Sequence, residues 1–320
     1  MKILVTGASG FIGRYLASYA AERGHEVVGT YLSEPELASR IPTDRRVRWR
    51  RLDLQDGALV AATVEEERPE AVFHLGAQAY AQRAWADPID TFRTNVLGTI
   101  ALYEALRARP PAHGVLLAAS AAGYGIPPSL PIAEEAPLWA TNPYGVSKTC
   151  QEAVSYQYAK NFGLRILRAR LFGTTGPGKS GDALNDFARQ VARLEREGQP
   201  ATLRVGNLDT RRDIQDIRDA VPALWTVFES GTPEQPINVG AGTSYSIRAI
   251  VDQLVRLAQV PLTVDVDPAL LRPTDELDNV ADVRRLRGLG HVPRIPFSRT
   301  VADALEFWRQ ETPGPAASGA

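Results

Sequence analysis

The chain has 320 residues, 44% apolar and 23% charged, enough to bury a sizeable core in one large or two moderate domains. A formal net charge of -1 gives no global attraction to nucleic acid or to an anionic membrane surface, so neither is expected as a partner. Cys150 is the single cysteine, which excludes an internal disulfide, and no apolar run is long enough to cross a bilayer; a soluble cytoplasmic protein is expected.

In chain order, KILVTG, EVVGTY, VRWRRLD, AVFHLGA, GVLLAAS and RILRARLF are short strand-like runs separated by stretches of helical character. Between Asp90 and Arg109, the residues Phe92, Val96, Ile100, Tyr103 and Leu106 recur at three- and four-residue steps and predict a helix. Continuous apolar strands alternating with helices predict an α/β fold, a doubly wound parallel sheet of Rossmann type covered on both faces. From about Gly173 the pattern becomes irregular and rich in proline, with INVG and LTVDVD as later strands. The expected division is 1–172 for the sheet domain, with about 213–242 returning to it, and 173–320 mainly for a smaller, loop-rich lobe.

VTGASGFIG places Gly7, Gly10 and Gly13 between the first strand and a helix that opens at Phe11 and Ile12. Gly7 permits a tight turn, Gly10 lets backbone approach a pyrophosphate on the helix N-terminus, and Gly13 allows close helix packing. A dinucleotide is therefore expected here. Further along, NPYGVSK sets Tyr144 and Lys148 four residues apart, on one helix face. A phenol is a poor base at neutral pH, and an ammonium one turn away favours the phenolate. Ser120 ends the fifth strand, at the edge where open α/β sheets place ligands, and is expected to hydrogen-bond the same substrate oxygen.

The G-x-x-G-x-x-G spacing with Ser120, Tyr144 and Lys148 resembles the extended short-chain dehydrogenase/reductase family. That resemblance implies cofactor contacts at Asp53 and Leu54 in RLDLQD, at Leu75 and Ala77 in HLGAQ, and at Asn95 in TNVLGT, as well as at Tyr144 and Lys148. It also implies NAD or NADP, and the selector position does not decide between them: Thr30-Tyr31-Leu32 stands where an acid or an arginine is usual. GPGKSGDALNDFARQVARLE, GNLDTRRDIQDIRDA and LLRPTDE resemble the GDP-4-keto-6-deoxy-D-mannose reductase and GDP-mannose 4,6-dehydratase branch, over nearly the whole chain. The branch implies a GDP-linked hexose as substrate, with Arg212 and Arg272 on its diphosphate. Gln78 is expected on the substrate, and Asn185, Asp209 and Asp275 on the nucleotide or the lobe.

The dehydratases of this branch carry a glutamate two residues after the serine, where this chain has Ala122, and no acid follows before Glu134. Elimination requires a general acid near the leaving hydroxyl, so a dehydratase is not expected. The branch's Arg-Pro-Phe-Asn is here Arg170-Leu171-Phe172-Gly173, and DELDNVADVRRLRGLG is more polar than its usual counterpart. The leading expectation is an NAD(P)H-dependent reductase of a GDP-linked 4-keto-6-deoxyhexose. A 4-epimerase or pyranose-furanose mutase on the same scaffold is the alternative, and a non-catalytic nucleotide-binding regulator the third. The family also implies a homodimer through helices near 90–109 and 142–161. The four histidines lack metal-ligand spacing, and no metal is expected. Cys150 reads as a small buried hydrophobe, TDRRVRWRR as an exposed face, and Trp85 and Trp139 as pocket or core residues.

Overall fold

The computed structural model describes residues 1–33, 43–270 and 278–311. Among them, those within 1–172, 220–239 and 282–292 form one compact unit, and those within 173–219, 240–281 and 293–320 a second. The segment that returns to the first unit is shorter than the expected 213–242, and 282–292 joins it as well. The difference at 213–216 arises because those residues are tied into a sheet of the second unit.

The first unit is built on β1 (Lys2–Thr6), β2 (Glu26–Tyr31), β3 (Arg48–Arg51), β4 (Ala71–His74), β5 (Gly114–Ser120), β6 (Ile166–Leu171) and, from the returning segment, β10 (Ile237–Val239). All seven are parallel, in the order β10-β6-β5-β4-β1-β2-β3. The order reverses between β1 and β4, the kind of switch point at whose strand C-terminal ends open α/β sheets place ligands. Ile3, Leu4, Phe73, Leu116, Leu117 and Ile166 are fully buried, as strands covered on both faces require.

Helices α1 (Phe11–Glu22), α2 (Gly57–Glu67), α3 (Ala81–Ala86), α4 (Pro88–Phe92), α5 (Gly98–Ala108) and α6 (Pro143–Phe162) belong to this unit. Asn142 caps α6 by accepting from Gly145 N at 2.9 Å, Pro143 supplies a preset first-turn φ, and Gly163 ends the helix at φ +70°. Between α4 and α5, residues 93–97 form a π-helical turn, which the sequence periodicity does not reveal. The extra residue rotates the inward face. Asn95, Thr99, Leu102, Tyr103 and Leu106 are fully buried, while Phe92, Val96 and Ile100 are only partly so.

Strand β3 lies at the sheet edge, where its charged side chains oppose further strand addition. They are not merely solvated. Glu67 of α2 accepts from Arg48 at 2.9 Å and Arg50 at 3.1 Å, with Lys2 Nζ also 3.1 Å away, and these cations hold its pKa down at about 2.

The second unit contains β7 (Gly173–Thr175), β8 (Ala201–Val205), β9 (Arg211–Asp216), β11 (Ser244–Ser246) and β12 (Leu262–Val266). A sheet in the order β11-β9-β7 and a β12-β8 pair are accompanied by helices α7 (Ala183–Glu197), α9 (Ile247–Leu257) and α11 (Phe297–Glu311). Leu184, Val191, Leu203, Ile250, Leu254, Val301 and Leu305 supply its core. The chain crosses between the units within α8 (Ile217–Ser230), and α10 (Arg284–Gly288) lies in the first. Among the described residues, no helix is long and apolar enough to cross a membrane, and no three metal-ligating side chains converge.

Candidate active site

At the C-terminal end of β1, Gly7 adopts φ +68° and donates its N–H to Thr30 Oγ1 at 3.1 Å, while Ser9 N donates to the Thr30 carbonyl at 3.2 Å. Thr30, at the second-strand selector site, thus shapes the turn from within the core. A Cβ at Gly7 would stand 2.7 Å from Gly76 Cα, in the turn after β4, and one at Gly13 would stand 2.3 Å from Gly7 O. Gly10 is the N-cap of α1 and offers no side-chain cap, and the first turn carries no acid. The positive end of the helix dipole therefore favours an anion at the start of α1, with Phe11 and Ile12 partly exposed beside it. These features fit the pyrophosphate of a dinucleotide.

The neighbouring turns supply the remaining expected cofactor residues. Asp53 is partly buried and its carboxylate accepts from Gln55 N at 2.9 Å. Leu54 is buried against Gly76 and Gly98, where a Cβ would meet its side chain at 2.8 Å in each case. Leu75 donates its N–H to Thr6 O at 3.2 Å, and Ala77 is partly exposed. Arg51, the last residue of the basic run TDRRVRWRR, donates from Nε to the Leu32 carbonyl at 3.4 Å. The parallel β2–β3 register, with Tyr31 opposite Arg51, brings this cation to the strand end that lacks a charged selector of its own.

Ser120 ends β5 and caps the short helix Ala121–Tyr124, its Oγ accepting from Ala122 N at 3.2 Å. Tyr144 lies in the first turn of α6. Burial raises the pKa of its phenol, and a hydrogen bond with Ser120 pulls it partly back. Lys148 is buried one turn on and donates from Nζ to Ala118 O and Gln151 Oε1, each at 2.8 Å; burial brings its pKa down to about 7. A phenol kept protonated and a lysine poised near neutrality suit proton donation to a carbonyl oxygen.

Ala122 places no acid beside these groups. Glu134, next in sequence, accepts from Asn238 N at 2.9 Å and lies 3.6 Å from Arg285, so its carboxylate serves that buried corner. Arg170 also has a structural assignment. Its guanidinium holds Glu152 at 2.9 Å and donates to Tyr124 Oη at 2.7 Å. At Gly173, a Cβ would fall 2.2 Å from Asp213 O in the second unit, so the asparagine usual in the family does not fit this backbone.

Two expectations require correction. Asn95 does not present its amide to a cofactor. Its Oδ1 accepts from Gln78 N at 2.7 Å, and its Nδ2 donates to Gln78 O at 3.0 Å and Ser147 Oγ at 2.9 Å. Ser147 Oγ in turn donates to the Tyr144 carbonyl at 2.7 Å, so Asn95 clamps the turn after β4 to the helix that carries Tyr144. Gln78 likewise turns its amide inward, donating to Thr91 Oγ1 at 3.0 Å and to Tyr80 O at 3.1 Å while accepting from Tyr80 N. Asn185, expected on the nucleotide or the lobe, is buried in the second unit between Thr175, Asp182 and Trp308, in agreement with the lobe alternative.

Asp209 is exposed and accepts from Arg248 at 3.2 Å. Arg211 is held by Ser244 O at 2.7 Å and lies 3.6 Å from Asp278, whereas Arg212, partly exposed, donates to the Arg211 carbonyl at 2.8 Å. Arg272 and Asp275 lie outside the described residues. Trp85 and Trp139 are largely exposed, which rules out the core.

The sequence matches the GDP-mannose 4,6 dehydratase family over residues 4–304. The chain belongs to that family. It is 32% identical to a GDP-6-deoxy-D-mannose reductase of Pseudomonas aeruginosa, over 96% of this chain and 97% of the relative. Among solved structures, RMD from Pseudomonas aeruginosa complexed with NADPH has a TM-score of 0.82 at 31% identity, covering 97% of this chain and 99% of that one. A Thermus thermophilus UDP-glucose 4-epimerase in complex with NAD has a TM-score of 0.83 at 27% identity, with coverage of 97% and 99%. The family therefore has members that bind either dinucleotide, on the Rossmann-type scaffold seen here.

Replacing Asn95 tests the clamp. Asn95→Ala leaves Gln78 N and O buried without partners, at about 1–3 kcal/mol each. Its thermal midpoint is expected to fall by several degrees, roughly as a domain of this size responds to that loss. An unchanged midpoint in differential scanning calorimetry would show that Asn95 carries no such load.

Proposed function

We propose that the protein is an NAD(P)H-dependent reductase that converts the 4-keto group of a GDP-linked 6-deoxyhexose to an alcohol, as a step in making an activated deoxysugar. The observation that carries this reading is the grouping of Ser120, Tyr144 and Lys148 beside a glycine turn, with no acid at Ala122 to drive elimination. Similarity to a GDP-6-deoxy-D-mannose reductase over almost the full length supports the substrate class.

NAD(P)H, when bound, supplies the reducing equivalent as hydride. Gly7, Gly10 and Gly13 admit its pyrophosphate, with Asp53, Leu54, Leu75 and Ala77 lining the adjacent turns. Ser120 donates a hydrogen bond to the substrate carbonyl and polarises it. Tyr144 transfers its phenolic proton to the same oxygen as charge builds there, and bulk solvent restores that proton afterwards. Lys148 steadies the transient phenolate and reaches the ribose with its remaining N–H. The net change is ketone plus NAD(P)H plus one proton to alcohol plus NAD(P)⁺. In the second unit Arg212, with Arg272 outside the described residues, is assigned to the diphosphate, because a planar guanidinium forks onto phosphate oxygens.

The second reading is an isomerase, a 4-epimerase or a pyranose-furanose mutase, and likeness to an epimerase bound to NAD favours it at the level of the scaffold. Incubation with GDP-4-keto-6-deoxymannose and NADPH or NADH separates the two. Stoichiometric loss of reduced cofactor is expected, and Tyr144→Phe is expected to slow it about 10²- to 10⁴-fold, the range for removal of a general acid. Absence of consumption, with intact GDP-hexoses isomerised instead, would replace the reductase by the second reading.

Arg51 favours NADPH, since the extra phosphate is the group an exposed guanidinium at this strand end would recognise. Arg51→Ala should raise KM for NADPH about ten-fold while leaving that for NADH within about two-fold, consistent with loss of one charge-assisted contact. Equal changes for both cofactors would remove Arg51 from selection.

A homodimer is also proposed. Leu97, Val146, Tyr156 and Phe162 are exposed apolar residues on the π turn and α6, within or next to the helical segments through which the family resemblance implies pairing. Sedimentation equilibrium should give twice the chain mass of 34.8 kDa, and a single-chain mass would sink the dimer.

A further inference from the structure

The geometry points to Gln151 as a positioning residue that holds Lys148 from the protein side; its place in catalysis rests on the role proposed above for Lys148. An ammonium has three N–H donors, and two are already directed, at Ala118 O and Gln151 Oε1. The third remains for a ligand.

The orientation of the Gln151 amide is itself dictated. Its Nε2 donates to Thr99 Oγ1 at 2.7 Å, and the Thr99 hydroxyl donates to Asn95 O at 2.5 Å. With its one proton committed, Thr99 Oγ1 accepts from Gln151 and also from His74 Nε2 at 2.9 Å. His74 therefore carries its proton on Nε2, leaving Nδ1 to accept from Thr6 Oγ1 at 2.7 Å, and Thr6 Oγ1 accepts from Gly76 N at 3.1 Å. This tautomer is assigned from the hydrogen-bond directions. Thr6, His74, Thr99 and Gln151 are all essentially fully buried. Reversing the amide would set two donors against Lys148 and an acceptor against an oxygen, so the amide oxygen faces the lysine.

The network ends on the Asn95 carbonyl and the Gly76 N–H, so it orients Lys148 and does not conduct its proton. The groups facing Lys148 are few. His74 comes from β4 and is held neutral by burial, its pKa down at about 3. β5 contributes the Ala118 carbonyl, and the π turn and α5 contribute the uncharged Asn95 and Thr99. On α6 itself stand Tyr144 and Glu152, the latter paired with Arg170 of β6. Gln151 is thus a neutral acceptor among neutral partners. It leaves the positive field of Lys148 undiminished at Tyr144, where a carboxylate would cancel it.

Lysine titration by NMR tests this without substrate or cofactor. Lys2, Lys148, Lys160 and Lys179 are the chain's lysines, so the spectrum of protein labelled with ¹³C at lysine Cε is sparse. The signal missing from Lys148→Met identifies Lys148. In Gln151→Met the ammonium loses an acceptor and its midpoint should fall by about one pH unit, whereas in the near-isosteric Gln151→Glu it should rise by at least as much. Shifts of opposite sign are beyond a general loosening of the fold. Midpoints that coincide with wild type would overturn the assignment, and Gln151→Glu alone is decisive if Gln151→Met does not fold. With the keto-sugar, Gln151→Met should lower kcat more than it raises KM. Midpoint shifts without turnover in any variant would leave the positioning role standing and remove the reductase reading.

Discussion

Everything at this site depends on how closely two backbone turns approach. β1 and β4 are parallel neighbours at the point where strand order reverses, so the turns that follow them face each other with Gly7 almost on Gly76. A single methyl group at Gly7 would overlap the Gly76 backbone and push the turns apart. Because they stay close, Thr6 reaches both Gly76 N and His74. The start of α1 beside them has no side-chain cap, which suits an anion against backbone.

Behind that surface, the unit is organised by uncharged hydrogen bonds. Asn95 binds both backbone groups of Gln78 and reaches Ser147, while Thr99 gathers His74, Gln151 and the Asn95 carbonyl. Such a network is favourable only when every member finds a partner, and these do. The π turn at 93–97 makes this possible by rotating Asn95 and Thr99 inward together. Within this hydrogen-bonded network the charged member is Lys148, which stands one turn from Tyr144.

The same sparing use of charge agrees with the reduction proposed above. Burial makes the Tyr144 phenol hold its proton, as the donor role proposed for it requires, and it brings the pKa of Lys148 down to about 7. Acids that elimination would need are either missing, as at Ala122, or engaged elsewhere, as Glu134 is with Asn238 and Arg285. Reduction needs only a proton donor and a polarised carbonyl, and those groups remain.

The sequence alone determined the Rossmann-type sheet, the glycine turn and the family, because each is carried by local spacing or an uninterrupted motif, and the same spacing singles out Ser120, Tyr144 and Lys148 as the proposed catalytic set. Strand runs such as KILVTG and GVLLAAS read correctly since burial on both faces leaves few alternatives to apolar residues. Tertiary structure decided what the polar side chains do. Asn95, Gln78 and Asn185 match family positions, yet their amides are taken up by protein groups, among them Ser147 for Asn95, Thr91 for Gln78 and Trp308 for Asn185. Arg51 acquired its place from the register of β2 against β3, and Gly173 its necessity from Asp213 O, across residues no local pattern connects. Periodicity also missed the π turn, since one inserted residue shifts a helical face without changing composition. A hydrogen bond is a relation between two positions, and the partner is set only when the chain has folded.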